Sequence, residues 1–152
     1  MISPELLRRF SLFSGLEPAV FSELAMMGDT RTLQSGEWLF EAQDPADALY
    51  LILSGQIELH VLLNKEQQLY QQIVSLVQGE AVGWEALVEP HQHTTGAAAT
   101  EPTELIALDA ASLRAFMRRH PAVGLVIMTR TAQMLSRQLD QLQVRFASLF
   151  TA

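Results

Sequence analysis

A chain of 152 residues, 49% of them hydrophobic, is long enough for one compact core, burying roughly 68–70% of its unfolded surface, and too apolar for disorder. Its longest apolar run, "ALYLIL" at 48–53, is far short of the ~18 residues a membrane span needs, and "MISPELLRRFSLFSG" reads as an amphipathic helix, not a signal peptide. The lack of cysteine removes disulfides, thiolate catalysis and the best zinc ligands and fits a reducing cytoplasm, while a net charge of −7, with basic pairs only at Arg8/Arg9 and Arg118/Arg119, leaves no basic stripe for direct nucleic-acid binding.

Two short helices open the chain. Leu6, Leu7, Phe10 and Phe13, then Val20, Phe21 and Leu24, recur at helical spacing over 4–13 and 18–27, with Gly15 and Gly28 as stops. From Asp29 to about Asp109 the period becomes two, and Gly, Pro, Asp and Asn recur every eight to twelve residues, the mark of an antiparallel all-β unit. In "LYLILSGQIELHVLL" Ile57, Leu59, Val61 and Leu63 face one way and Gln56, Glu58 and His60 the other; Ser54-Gly55 is expected to make a tight turn back to the preceding strand. Further strands are expected at 38–41, 69–77, 81–88 and 94–108.

The helical period then returns. "ASLRAFMRRHP" predicts a helix stopped by Pro121, and 122–150 predicts a long final helix. On it Leu125, Met128, Ala132, Leu135, Leu139, Leu142, Phe146 and Leu149 alternate at spacings of three and four, a seam that predicts a dimeric coiled coil. The first part of the seam, to about Leu135, fits equally well against the chain's own sheet; the rest runs on by about 20 Å at 1.5 Å per residue and outreaches a small barrel.

The order of these pieces, from "LFSGL" (12–16) through "GEWLFEAQDPADALYLILSGQIEL" (36–59), "GEAVGWEAL" (79–87) and "ELIALD" (104–109) to "FMRRHP" (116–121), resembles the cyclic-nucleotide-binding domain family, which includes the cyclic-AMP receptor protein. The resemblance implies a mainly β fold: an eight-stranded antiparallel β-roll, a jelly-roll-like double-stranded β-helix, with N-terminal helices and a long C-terminal helix. It divides the chain into a β-roll domain over 1–121 and a dimerisation and signal helix over 122–152. It also implies a pocket for a cyclic nucleotide floored by a phosphate-binding cassette, in which turn amides and an Arg fork hold the phosphate while a Glu accepts from the ribose hydroxyl.

On this chain the cassette falls on "GWEALVEPHQHTTGAAA" (83–99). Gly83 keeps the family's Gly, Ala86 and Leu87 keep the turn, and Thr95 keeps the hydroxyl; Trp84 stands in place of the Glu and Thr94 in place of the Arg. Each lost contact to a charged group is worth roughly 1.5–3 kcal/mol, so affinity for a cyclic nucleotide should fall by about two to four orders of magnitude. Glu85 lies one residue past the lost carboxylate, and its register is expected to turn it to the opposite face. Trp84 is expected either to fill the vacated space or to stack on a flat ligand, filling being preferred. His91 and His93, beside Pro90, are expected on an exposed turn rather than as substitutes for the Arg. Gln43 replaces a Gly usual in the family's turn, which puts that turn's geometry in question.

No catalytic constellation is found: there is no Ser-His-Asp set and no phosphate-loop Gly-Lys-Ser/Thr. His91-x-His93 resembles the opening of the cupin metal motif, but Gly96 and Ala97 stand where its carboxylate would be, so no metal is expected. The sequence thus predicts a non-enzymatic, cytoplasmic regulatory domain that forms a homodimer through its last helix and takes a cyclic nucleotide or another small ligand, or none. Three readings stand: a sensor, a ligand-free dimerisation or docking scaffold, and a transcription regulator cut before its helix-turn-helix. Met1 and the complete roll suggest an intact front end, while the stop at Ala152 leaves the back end open.

Overall fold

The computed structural model describes residues 1–151. Ser3 caps α1 (Pro4–Leu7) by accepting from the amide of Glu5, a 3-10 turn follows at Ser11–Phe13, and α2 (Pro18–Met26) begins on a proline, where no amide is missed. Eight strands come next: β1 (Gly28–Leu33), β2 (Trp38–Phe40), β3 (Ala48–Ser54), β4 (Gln56–Asn64), β5 (Leu69–Val77), β6 (Ala81–Val82), β7 (Gly96–Ala99) and β8 (Thr103–Asp109). They form two four-stranded antiparallel sheets, ordered β1-β8-β3-β6 and β2-β7-β4-β5, and make the β-roll that the resemblance implied.

Three sequence expectations need correction here. Ser54-Gly55 does not fold β4 back on β3; it is the corner at which the chain passes from one sheet to the other, since β3 pairs with β6 and β8 while β4 pairs with β5 and β7. Gly55 is required there because φ is +96° and a Cβ would lie 2.6 Å from the carbonyl oxygen of Pro102. The apolar run at 94–108 is likewise two strands, one in each sheet, divided at Glu101-Pro102, and that at 81–88 is only two strand residues followed by a 3-10 turn.

Alternation along the strands sorts their side chains into two cores. Leu49, Leu51, Ile106 and Leu108 leave the first sheet outward and meet Leu7, Phe13, Phe21, Leu24, Leu113 and Phe116 from the helices. Tyr50, Ile52 and Leu105 point inward and meet Ile57, Leu59, Val74 and Leu76 of the second sheet. On the outer face of that second sheet the indole of Trp38 lies flat over Gly96, with the ring of Tyr70 4.9 Å away and that of His60 5.3 Å away.

Asp109 caps α3 (Ala110–Arg119) by accepting from the amide and hydroxyl of Ser112, 2.9 and 2.7 Å away. Pro121 then stops α3 and starts α4 (Pro121–Ser148). Gly124 lets the two helices meet, since a Cβ there would be 3.0 Å from the carbonyl oxygen of Met117. The first half of α4 belongs to the first core through Ile127, and its later half reaches β5, where Leu142 packs beside Ile73 and Arg145 donates to the Ile73 carbonyl. No helix among the described residues is long and apolar enough to cross a membrane.

Candidate functional site

Gly83 turns the chain out of β6 in the left-handed conformation, φ +85°, and a 3-10 turn over Trp84–Leu87 follows at once. Ala86 is fully buried beneath it and Leu87 packs on the first core. The amide of Ala86 donates to the Gly83 carbonyl at 3.0 Å, and Arg114 of α3 donates to the carbonyl of Ala86 at 2.7 Å, so the hinge helix is tied directly to the turn.

In a 3-10 turn side chains do not alternate as in a strand, and the expectation for Glu85 fails for that reason. Its side chain is not turned away; it is buried inside the roll and takes three hydrogen bonds, from His93 Nδ1 at 3.2 Å, from the Thr94 amide at 3.0 Å and from the Thr94 hydroxyl at 2.7 Å. Thr94 therefore holds a carboxylate of its own chain. Burial pushes the Glu85 carboxyl up, but the bonds from His93 and Thr94 together outweigh it and hold the group below its ordinary value.

The expectation for the histidines is overturned in part. His93 is 3% exposed, and its ring stacks on Phe40 with centroids 3.4 Å apart and planes 4° from parallel. Gly83 keeps this contact uncrowded, because a Cβ would lie 3.2 Å from His93 Cε1. The backbone of 91–93 is strapped to the loop at 43–46: the His93 amide donates to Asp44, and the amides of Gln43 and Ala46 donate to His93 and His91. Gln43 adopts φ 76°, so the turn keeps a left-handed residue without the glycine. His91, half-buried and itself at φ 57°, sits on the outer side beside Leu87 and Arg114.

Tyr50 completes the interior, 6.2 Å from Phe40, with its hydroxyl 3.1 Å from the guanidinium of Arg31. Phe40, Tyr50 and His93, each buried, thus occupy the roll beside the cassette. Sequence reading missed Phe40 and Tyr50 and placed His93 on an exposed turn; the available signal was the immediate adjacency of His93 to Thr94. Trp84 is not the plug of this space: it is half-buried at the head of the turn and packs with neither core. Thr95 is half-buried at the entry to β7. The seam residues lie along α4, with Leu125, Ala132, Leu139, Phe146 and Leu149 exposed and Met128, Leu135 and Leu142 half-buried.

Two outcomes follow from this geometry. Trp84→Ala should cost less than about 1.5 kcal/mol in denaturant unfolding, whereas Phe40→Ala should cost the ~3–5 kcal/mol of a buried aromatic. Because the Glu85 carboxyl is lowered in the folded protein, its stabilisation is complete above the ordinary carboxyl value of about 4.3 and is lost as the pH falls below it. Unfolding measured from pH 7 to pH 3 should show Glu85→Gln less stable than wild type by ~1.5–3 kcal/mol at pH 7, with the difference closing in acid.

Comparison with known proteins agrees with the roll. The cyclic nucleotide-binding domain family matches residues 30–120. The chain is 30% identical over 130 residues to the cyclic AMP receptor protein of Thermus thermophilus, covering 86% of this chain and 57% of that protein. It is 32% identical over 130 residues to glutaminase 1 of Bradyrhizobium diazoefficiens, covering 84% of this chain and 20% of that one. Among solved structures, a Geobacter metallireducens protein assigned to the cyclic nucleotide-binding proteins superposes with a TM-score of 0.81 at 29% identity, over 91% of this chain and 99% of its own. The chain spans little more than half of one curated relative and a fifth of the other. With its two-sheet roll, its left-handed Gly83 turn and the match over 30–120, the chain belongs to the cyclic nucleotide-binding domain family and is a non-catalytic domain of the kind found in cyclic-AMP receptor-like regulators.

Proposed function

We propose that this chain is a dimeric cytoplasmic sensor domain whose roll takes a ligand other than cyclic AMP or cyclic GMP, or takes those two only weakly. The observation that carries this reading is the Glu85 carboxylate, held by His93 and by both donors of Thr94 at the position of the family's Arg. A cyclic phosphate brought to that position would meet a like charge where the family supplies a guanidinium, and would have to displace three hydrogen bonds. Calorimetry with cyclic AMP and cyclic GMP should show no low-micromolar binding; a low-micromolar dissociation constant for either would overturn the reading.

The signal leaves through α4. Arg114 ties the hinge helix to Ala86 of the cassette turn, and the close approach at Gly124 couples that helix to α4, so a change in the turn is felt along 118–124. That the same unit accounts for part of a receptor protein and part of a glutaminase supports its reading as a module whose output goes to another chain or segment. The rings of Phe40, Tyr50 and His93 favour the second reading, a ligand-free scaffold, to the extent that they fill the roll without help.

The dimer rests on the exposed seam, on which Leu139 is 56% and Phe146 65% exposed. Sedimentation should give a dimer for the wild type and a monomer for Leu139→Glu, and a monomeric wild type would end the coiled-coil reading.

A further inference from the structure

A cavity lies away from the Trp84–Leu87 turn, between the 3-10 turn at Ser11–Phe13, the turn joining β5 to β6, and the face of α4 opposite its apolar seam. Its volume is about 240 Å³, below the size that takes drug-like molecules. Leu12, Leu51 and Met134 give it an apolar floor, and its walls carry the side chains of Arg130 and Arg137. The Arg130 guanidinium reaches the Ser14 carbonyl at 3.4 Å and Gln133 at 3.3 Å, but its buried Nε has no hydrogen-bond partner. Arg137 is exposed and forms no ion pair among the described residues.

The one carboxylate in the lining, Glu80, is already engaged, accepting from the amide of Val77 at 2.7 Å across its own turn. Two arginine side chains thus line one small cavity, and within it a buried Arg130 donor has no acceptor. Buried donors are nearly always paired, and the planar fork of Arg matches the oxygens of a phosphate. We propose that this cavity is a binding site for a small organic phosphate monoester, with Arg130 and Arg137 holding the phosphate and the floor of Leu12 and Leu51 taking its apolar part. The site is independent of the cassette and of the seam. It joins the N-terminal segment, the β5–β6 turn and α4, so an occupant binds across all three and biases how α4 lies on the roll, with reciprocal effects on whatever else α4 binds.

Phenyl phosphate titrated into ¹⁵N-labelled full chain should shift the amide signals of Ser14, Gly79 and Gln133 saturably at millimolar concentration or below. Arg137→Gln, a change at an exposed residue that leaves the fold intact, should raise the dissociation constant about tenfold or more; Arg130→Gln/Arg137→Gln should abolish the shifts, and Arg119→Gln should leave them unchanged. Inorganic phosphate should bind the same amides more weakly, having nothing to place on the floor. Absence of saturable shifts in the wild type, unchanged affinity in Arg137→Gln, or an equal response to benzoate would overturn the proposal.

Discussion

A carboxylate buried between two sheets must be supplied with donors, and meeting that need for Glu85 organises the whole cassette. Thr94 gives it an amide and a hydroxyl, His93 a ring nitrogen, and these three bonds decide where the chain from 83 to 96 runs. His93 lies inward with its ring stacked on Phe40, and a Cβ on Gly83 would stand only 3.2 Å from its Cε1. The conformation of one glycine, the direction of one carboxylate and the stacking of two rings are parts of one arrangement. In the family pattern an external phosphate and a guanidinium would supply opposite charges at this position; here both partners are internal.

Around this centre the chain divides its apolar residues between two cores, and the division explains which parts of the molecule feel each other. The inner core closes the roll, while the outer one binds the helices to the first sheet. The 3-10 turn of the cassette belongs to the outer core through Ala86 and Leu87, while its Glu85 bonds to His93 and Thr94 on the inner side. The residue after Glu85, Ala86, accepts the Arg114 hydrogen bond, so the turn that carries the carboxylate is also tied to α3.

The elements with strong periodicity were legible in the sequence. The strands β3, β4 and β5, the Pro121 break between α3 and α4 and the helix expected over 18–27 appear near where the pattern put them. The helix expected over 4–13, by contrast, ends at Leu7 and gives way to a 3-10 turn, and the alternation in β4 stops at Leu59, where the register shifts and Leu63 is left exposed. What was not legible was partnership between distant segments. Period-two alternation is the same whether Gly55 is a hairpin turn or a corner between sheets, and only pairing of β4 with β7 distinguishes them. The orientation of Glu85 was misread because strand alternation was carried into a stretch that coils as a 3-10 turn. The burial of His93 depends on Gly83, ten residues earlier, and on Phe40, more than fifty earlier, and no local pattern links the three.

The open edges of the two sheets are treated unequally. β6 has two residues and β2 three with a break in register, while β1 carries Asp29 and Arg31; short or charged edges of this kind do not accept a further strand readily. β5 is different, nine residues long and with Leu69 and Val77 exposed at its ends. Its guard is the far end of α4, through Leu142 beside Ile73 and the Arg145 guanidinium on the Ile73 carbonyl. The last turns of α4 are therefore also a safeguard against self-association of sheets: any rearrangement that lifts them exposes a long strand edge able to pair with another chain.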